Sequence, residues 1–213
     1  MVSYNRQLAA HFALVAPKNE AISLKKHQQG EKIIYQNEAV GWIYVIQSGV
    51  VKCYINESNG KDFILDFFGE GAIIGELEAL NDTLTSATVE AITDLTIYRF
   101  SLVYFWEMLR TDDEFNLIIM KELAKRASQV AKRASYQQNY ALEYSILKLL
   151  YLSADLPFTL KKKDLADYLG ITLRSLNRTI TVLQQKKIIA IEKLNLAITK
   201  PEVLRLLNGY EKA

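Results

Sequence analysis

Arg174, Asn177, Arg178 and Thr181 recur at i, i+3, i+4 and i+7 in TLRSLNRTITVLQQ, so on a helix they share one face. Guanidinium and carboxamide groups are the side chains that read base edges in the DNA major groove, arginine pairing with guanine and asparagine with adenine. Leu176, Ile180 and Leu183 would form the buried side, and Thr172 is the N-cap candidate because its hydroxyl can accept from a free amide at the helix start. Upstream, Leu165, Ala166 and Leu169 share a face of a shorter helix, and Gly170 stops it by entering the left-handed region without steric penalty. Two helices about a tight glycine turn, the second presenting Arg and Asn, fit a DNA-reading helix-turn-helix. A plain helical hairpin with a solvated polar face has the same pattern. Lys161, Lys162 and Lys163 lie before the first helix, where they would meet phosphates, and Ser175 and Thr181 are further candidates for backbone contacts.

A second constellation lies in IIGELEAL, residues 73–80, read as a helical turn, with TSATV, residues 85–89, after it. Gly75 leading into Glu76 and Leu77 would present free amides at a helix start, which suits an anion. A glycine that merely turns the chain reads the same way. Metal and redox chemistry find little support. Cys53 alone cannot make an internal disulfide or hold an iron–sulfur cluster, and two isolated histidines, His11 and His27, do not supply the ligand set of a metal oxygenase. His27, beside Lys25 and Lys26, reads as a surface residue, and Cys53, in an apolar strand, as a buried structural thiol. No cofactor and no enzymatic activity are expected.

The elements that must position these groups fall into two grammars. The 213 residues suffice for two modest domains, and 26 Lys and Arg against 24 Asp and Glu leave a formal charge of only +2. Any affinity for nucleic acid must therefore come from a local patch. Residues 121–187 hold half of the Lys and Arg, whereas in 56–94 Lys61 is the only base among nine acids. With no apolar signal core at the N-terminus and no apolar run near 18 residues, neither secretion nor membrane insertion is expected, and a cytoplasmic location is the default.

Residues 1–22 read as a polar, partly helical lead-in. From there to about residue 100, short β-branched and aromatic runs (33–36, 42–47, 50–55, 62–68, 86–92 and 95–100) alternate with glycine turns, and Asn59-Gly60 marks a hairpin. This predicts a sandwich or roll. A short helix over 102–109 precedes a longer one, capped by Thr111-Asp112-Asp113 and running to about Ser135. On it Phe115, Ile119, Leu123, Arg126, Val130 and Ala134 recur at three- or four-residue spacing, with Ala127 small enough for close approach, which predicts a coiled-coil-like dimer seam. Packing against the chain's own β domain is the competing use, and one helix can serve both on different faces. Next come an amphipathic helix with Leu142, Ile146, Leu149 and Leu150, closed by Pro157; the helix-turn-helix; and a two-strand hairpin over 188–198 turning near 193–195. Thr199-Lys200-Pro201-Glu202 then opens a last helix to about Leu207. Helix, helix-turn-helix and hairpin in that order describe a winged helix.

This order resembles the cyclic-AMP receptor protein and fumarate–nitrate regulator (Crp/Fnr) family of bacterial transcription factors. The resemblance is carried by FFGEGAIIGELEAL with TSATV, the long helix after TDDEF, and LADYLGITLRSLNRTITVLQQKKII, and it spans residues 23–198. It implies an α+β chain: an N-terminal cyclic-nucleotide-binding-like β-roll effector domain (1–110), a long dimerisation helix (111–138) and a C-terminal winged helix-turn-helix (139–213). In relatives that bind cyclic AMP, a Gly-Glu-Leu turn and an Arg-Ser-Ala triplet grip the nucleotide. Gly75, Glu76, Leu77, Ser86 and Ala87 match, but Thr85 stands where the phosphate-pairing arginine would be. With Glu76 and Glu78 near and no arginine to offset them, such a pocket could even repel phosphate. The family's polar adenine contacts fall near Val130 and Ala131, which lack such groups.

In the family's recognition helix, the base-reading positions correspond here to Leu173, Arg174 and Arg178. Arg178 matches; Leu173 and Arg174 depart, so the operator should differ from the family's usual half-site. Leu173 could instead touch a thymine methyl group. The expectation is a homodimeric, sequence-specific regulator of double-stranded DNA on an inverted repeat, not controlled by cyclic AMP, with an unknown small-molecule effector or none. RNA polymerase is a candidate partner, and contacts with it decide activation against repression. The alternatives are a cyclic-nucleotide-responsive regulator and a β-roll module that binds a protein partner without any DNA role.

Overall fold

The computed structural model describes residues 2–154, 156, 158, 160–190 and 196–212. In chain order the elements are β1 (Val2–Ser3), α1 (Arg6–Val15), β2 (Ser23–His27), β3 (Lys32–Ile34), β4 (Trp42–Ser48), β5 (Val51–Asn56), β6 (Asp62–Phe68), β7 (Ile73–Ile74), α2 (Glu76–Asn81), β8 (Thr88–Ala91), β9 (Leu95–Ser101), α3 (Leu102–Thr111), α4 (Asp113–Asn139), α5 (Leu142–Ser153), α6 (Lys162–Leu169), α7 (Leu173–Gln185) and α8 (Lys200–Lys212). The chain divides into two compact units, Val2–Ala127 and the residues from Ser128 onward.

In the first unit two sheets face each other, ordered β1-β6-β5-β8-β3 and β2-β9-β4-β7. Between them lie Ile46, Val51, Phe68, Ala72, Ile74, Val89, Ala91, Leu95 and Ile97. Strand alternation sends Ile43 and Val45 of β4 to the other face of its sheet, where Leu8, Phe12, Phe105, Phe115, Ile118 and Ile119 from the helices complete a second core. The Asn59-Gly60 hairpin forms as predicted: β5 and β6 pair antiparallel up to Asn56 opposite Asp62, and Gly60 takes φ +77°.

Two expectations need correction. The lead-in over 1–22 is part of the core: Asn5 caps α1 by accepting from the Leu8 amide at 3.0 Å, and Leu8 and Phe12 are fully buried. Gly71 makes this docking possible, since at φ +75° a Cβ there would lie 1.9 Å from the Asn5 carbonyl oxygen. Residues 73–80 are also not one helical turn. Ile73 and Ile74 pair with β4, and the helix begins only at Glu76.

Phe115, Ile119 and Arg126, predicted for a dimer seam on the long helix, are turned into the chain's own β unit. Asp112 caps α4 by accepting from the Phe115 amide at 2.9 Å, and the first turns of α4 then face the chain's own sheet. Phe115 and Ile119 are buried, Leu123 packs partly against them, and Arg126 is drawn into the β domain. A four-residue spacing of apolar groups marks the stripe a helix lays on its own core just as well as one offered to a second copy. The apolar side chains that stay exposed are Leu117, Met120, Ala124, Ala127, Ala131 and Ala134, flanked by Val130. Their 3-4-3-4-3 spacing is that of a heptad seam.

In the second unit α5 packs against α7 and α8, burying Tyr144, Ile146, Leu147, Leu149 and Leu150. The Thr199–Glu202 capping box forms, with the Thr199 amide and hydroxyl both donating to Glu202 Oε2, at 2.8 and 2.7 Å. The last helix runs beyond Leu207 to Lys212. The base of the predicted hairpin is present, with Ile189 bridged to Leu196 and the Ala197 amide donating to the Ile188 carbonyl at 2.9 Å. Its turn over 193–195, like Pro157, lies outside the described residues.

Phe115→Ala should destabilise the β unit by about 3–5 kcal/mol, the cost of emptying a fully packed aromatic site. Urea unfolding followed by tryptophan fluorescence would measure it, Trp42 and Trp106 lying in that unit.

Candidate nucleic-acid interface and effector site

The recognition face is built from its caps outward. Gly170 ends α6 at φ +67°, and the Ile171 amide donates back to the Ala166 carbonyl at 3.0 Å. Two residues later Thr172 starts α7, its Oγ1 accepting from the Ser175 amide at 3.1 Å. Leu176, Thr179, Ile180 and Leu183 are buried, which leaves Thr172, Leu173, Arg174, Asn177, Arg178 and Thr181 exposed along one side. Leu173 is 45% exposed, an apolar group offered to solvent at the head of the helix. Neither Arg174 nor Arg178 enters an ion pair among the described residues.

The neighbouring polar groups are more committed. Lys162 and Lys163 are the first two residues of α6 rather than a segment before it. Lys162 Nζ donates to Asn177 Oδ1 at 3.3 Å, and Lys163 pairs with Asp167 at 2.6 Å. The Thr181 hydroxyl donates to the Asn177 carbonyl at 3.0 Å, so in this rotamer its proton is not offered to a phosphate. Ser175 is half-buried and accepts from the Thr172 hydroxyl at 3.1 Å.

Glu143 at the start of α5 pairs with Lys186 just past α7, at 2.9 Å, and accepts from the Tyr210 hydroxyl at 2.8 Å. Those hydrogen bonds hold its carboxyl below the usual range. Three helices of the unit are thereby tied at their ends.

In the β unit the residues expected around an effector part company. Gly75 takes φ +91° at the N-cap of α2, and a Cβ there would come within 3.0 Å of the Trp42 carbonyl oxygen. Glu76 is buried, Leu77 is largely exposed and Ala87 is buried. Thr85 is buried and turned into the 35–38 loop: its hydroxyl reaches the Tyr35 and Glu38 carbonyls and accepts from the Glu38 amide at 2.9 Å. Its amide donates to the Glu38 carbonyl at 2.9 Å, and its carbonyl accepts from the Asn37 amide at 2.7 Å. Ser86 donates to Glu78 Oε1 through both its amide, at 3.2 Å, and its hydroxyl, at 2.8 Å.

The expectation that no arginine offsets these acids is corrected by Arg126. From α4 its guanidinium pairs with Glu76, contacts Glu122 at 3.3 Å, donates to the Ile73 carbonyl at 2.8 Å and lies 4.6 Å from the Phe68 ring centre. Glu122 also accepts from the Asn5 carboxamide at 3.0 Å. Burial pushes the Glu76 carboxyl up, against the pull of Arg126. Burial also opposes the Arg126 charge, but Glu76 and Glu122 outweigh it and hold the guanidinium above its ordinary range. The only sequence signal for this role was an arginine in an otherwise apolar stripe.

Cys53 also faces these charges. Burial and the nearby carboxylates push its thiol up to about 12, so it is a protonated, unreactive group at neutral pH. Among the described residues no group of three or more His, Cys, Asp or Glu could hold a metal ion, and no helix is long and apolar enough to cross a membrane.

A two-sheet β unit with a glycine-led helical insertion, followed by a helix-turn-helix unit, defines a two-domain DNA-binding regulator. Family models agree. The cyclic nucleotide-binding domain matches residues 24–112 and the Crp-like helix-turn-helix domain matches residues 146–207. The probable transcriptional regulator flp of Lacticaseibacillus casei is 25% identical over 176 residues, 80% of each chain. The nitrogen fixation regulation protein FixK of Rhizobium meliloti is 24% identical over 193 residues, 90% of each. A Crp/Fnr-family transcriptional regulator from Thermus thermophilus shares the fold at a TM-score of 0.76 and 15% identity, covering 88% of this chain and all of that one. The chain belongs to the Crp/Fnr family of transcription regulators.

Arg126→Ala would leave Glu76 buried without its cation, and Glu122 with only Lys125, at 3.5 Å, and the Asn5 carboxamide. The expected loss is about 3–5 kcal/mol, read from urea unfolding of the full chain. Replacing Glu76 by Gln in the same chain should recover part of it.

Proposed function

We propose that the chain works in the cytoplasm as a homodimer whose two α7 helices enter successive major grooves of an inverted-repeat operator, with half-sites about 34–36 Å apart. The carrying observation is the α7 face, where Leu173, Arg174, Asn177 and Arg178 stand exposed above a fully buried apolar side. Arg178 would pair with guanine and Leu173 would meet a thymine methyl group. Lys162 and Lys163 would lie toward phosphates, which set register and carry the salt dependence. The exposed heptad positions of α4 would form the seam between protomers, in place of Phe115, Ile119 and Arg126. In this division of labour residues 1–110 form the effector domain, 111–138 the dimer helix and 139–213 the DNA-binding domain, with RNA polymerase as the further partner when the bound dimer activates.

Cyclic AMP is not the effector in this reading. Thr85 brings no charge to a phosphate, and its hydrogen bonds are spent on the 35–38 loop. Thermal denaturation with added cyclic AMP should leave the melting temperature unchanged; a clear upward shift would favour the cyclic-nucleotide-responsive alternative.

Selection from random DNA should enrich an inverted repeat. Arg178→Ala should cost about 1–3 kcal/mol of discrimination at one base pair per half-site, whereas Lys162→Ala should weaken binding to all sequences and flatten the salt slope by about one. If no repeat is enriched, the DNA reading fails. For the seam, Met120→Glu should shift sedimentation from dimer to monomer while the melting temperature of each unit stays close to wild type, since Met120 is 56% exposed.

A further inference from the structure

We propose that Lys162 sets the base that Asn177 reads: by holding the carboxamide oxygen it leaves Asn177 a donor only, so this position selects guanine in place of adenine. The inference rests on the DNA-binding reading above and names the specificity of one position in that interface.

Asparagine reads adenine with both ends of its carboxamide, the oxygen accepting from the N6 amino group and the nitrogen donating to N7. On α7 the oxygen is taken. Lys162, the first residue of α6, donates from Nζ to Asn177 Oδ1 at 3.3 Å. An ammonium has three donors and no acceptor, so the carboxamide can meet it through oxygen alone. Asn177 Nδ2 has no partner among the described residues, and both of its hydrogens are left for DNA.

The helix-turn-helix itself brings the two side chains together. Leu165, Ala166 and Leu169 of α6 and Leu176 and Ile180 of α7 are buried, the two helices pack against each other, and Gly170 and Thr172 fix the turn between them. No carboxylate competes for Lys162 among the described residues, whereas Lys163 beside it is paired with Asp167. Lys162 and Asn177 are both exposed, on the side of α7 that carries Arg174 and Arg178. DNA docking there would expel water from the contact, and a hydrogen bond from a charged donor gains strength as water leaves. The other ammonium hydrogens of Lys162 stay available to a phosphate, so positioning Asn177 and anchoring the backbone are compatible.

A group that only donates finds two acceptors on guanine, N7 and O6. On adenine it finds N7 but also faces the N6 amino group, donor against donor, and cytosine offers it an amino group alone. Guanine is therefore the base that such an Asn177 satisfies best.

The test uses the full chain and the selected operator. Asn177→Ala identifies the base pair that Asn177 reads, as the position where preference is lost. Operators differing only there are then compared as ratios of affinity, which a uniform loss of phosphate attraction leaves unmoved. Wild type should favour a G·C pair over an A·T pair by about tenfold. Lys162→Met keeps the aliphatic stem but releases the oxygen, and should turn the ratio toward A·T. Lys163→Met removes a neighbouring ammonium and should keep the wild-type ratio. An A·T preference in wild type overturns the inference. So does a Lys162→Met ratio equal to wild type, a matching shift in Lys163→Met, or an Asn177→Ala selection that retains every preference. Wild-type protein that enriches no repeat would instead overturn the DNA-binding reading.

Discussion

One guanidinium ties the β unit together. Arg126 leaves α4 and ends on Glu76 of α2, on the carbonyl of Ile73 in β7 and on Glu122 one turn back, and Glu122 in turn holds Asn5, the cap of α1. Three stretches distant in sequence, α1, the consecutive β7 and α2, and α4, therefore share one charge network. A buried ion pair adds little net stability over an apolar filling of the same shape, because desolvation offsets the attraction. What it imposes is geometry, since each partner is costly to leave unpaired. The entry angle of α2 and the seating of α4 are set together.

That constraint governs which face of α4 is free. Once Arg126, Phe115 and Ile119 are committed inward, the outward side is fixed by the helical repeat as Leu117, Met120 and a run of alanines. The recognition helix follows the same logic on a smaller scale. Leu176, Ile180 and Leu183 commit one side, and the polar groups that could read bases are what remains. In both helices the exposed chemistry is the complement of the buried one.

Much of this was legible in the residues. Gly170, Thr172, the apolar side of α7, the Asn59-Gly60 hairpin and the Thr199–Glu202 box announce themselves because each is a local interaction spanning a few residues. Three features were not. Residues 1–22 look polar because α1 buries only a narrow stripe, Leu8, His11 and Phe12. The long helix offered two overlapping periodicities, and only the tertiary position of the sheet decides which one turns inward. Arg126 and Glu76 are 50 residues apart, so nothing local marks them as partners. The Glu78–Ser86 contact is closer in sequence but depends on the backbone path through Gly75 and Asp82, both in left-handed conformations.

The alanines along α4 carry a consequence for gene control. Small side chains let two helices approach closely but bury little apolar area in each layer, so a dimer joined there would be held less tightly than one built on leucines. In the proposed reading, where the operator is recognised only by the pair, occupancy then rises more steeply than in proportion to the number of chains in the cell. In the proposed dimer, the share of chains able to grip an operator would therefore follow the amount of protein that synthesis and turnover leave in the cell.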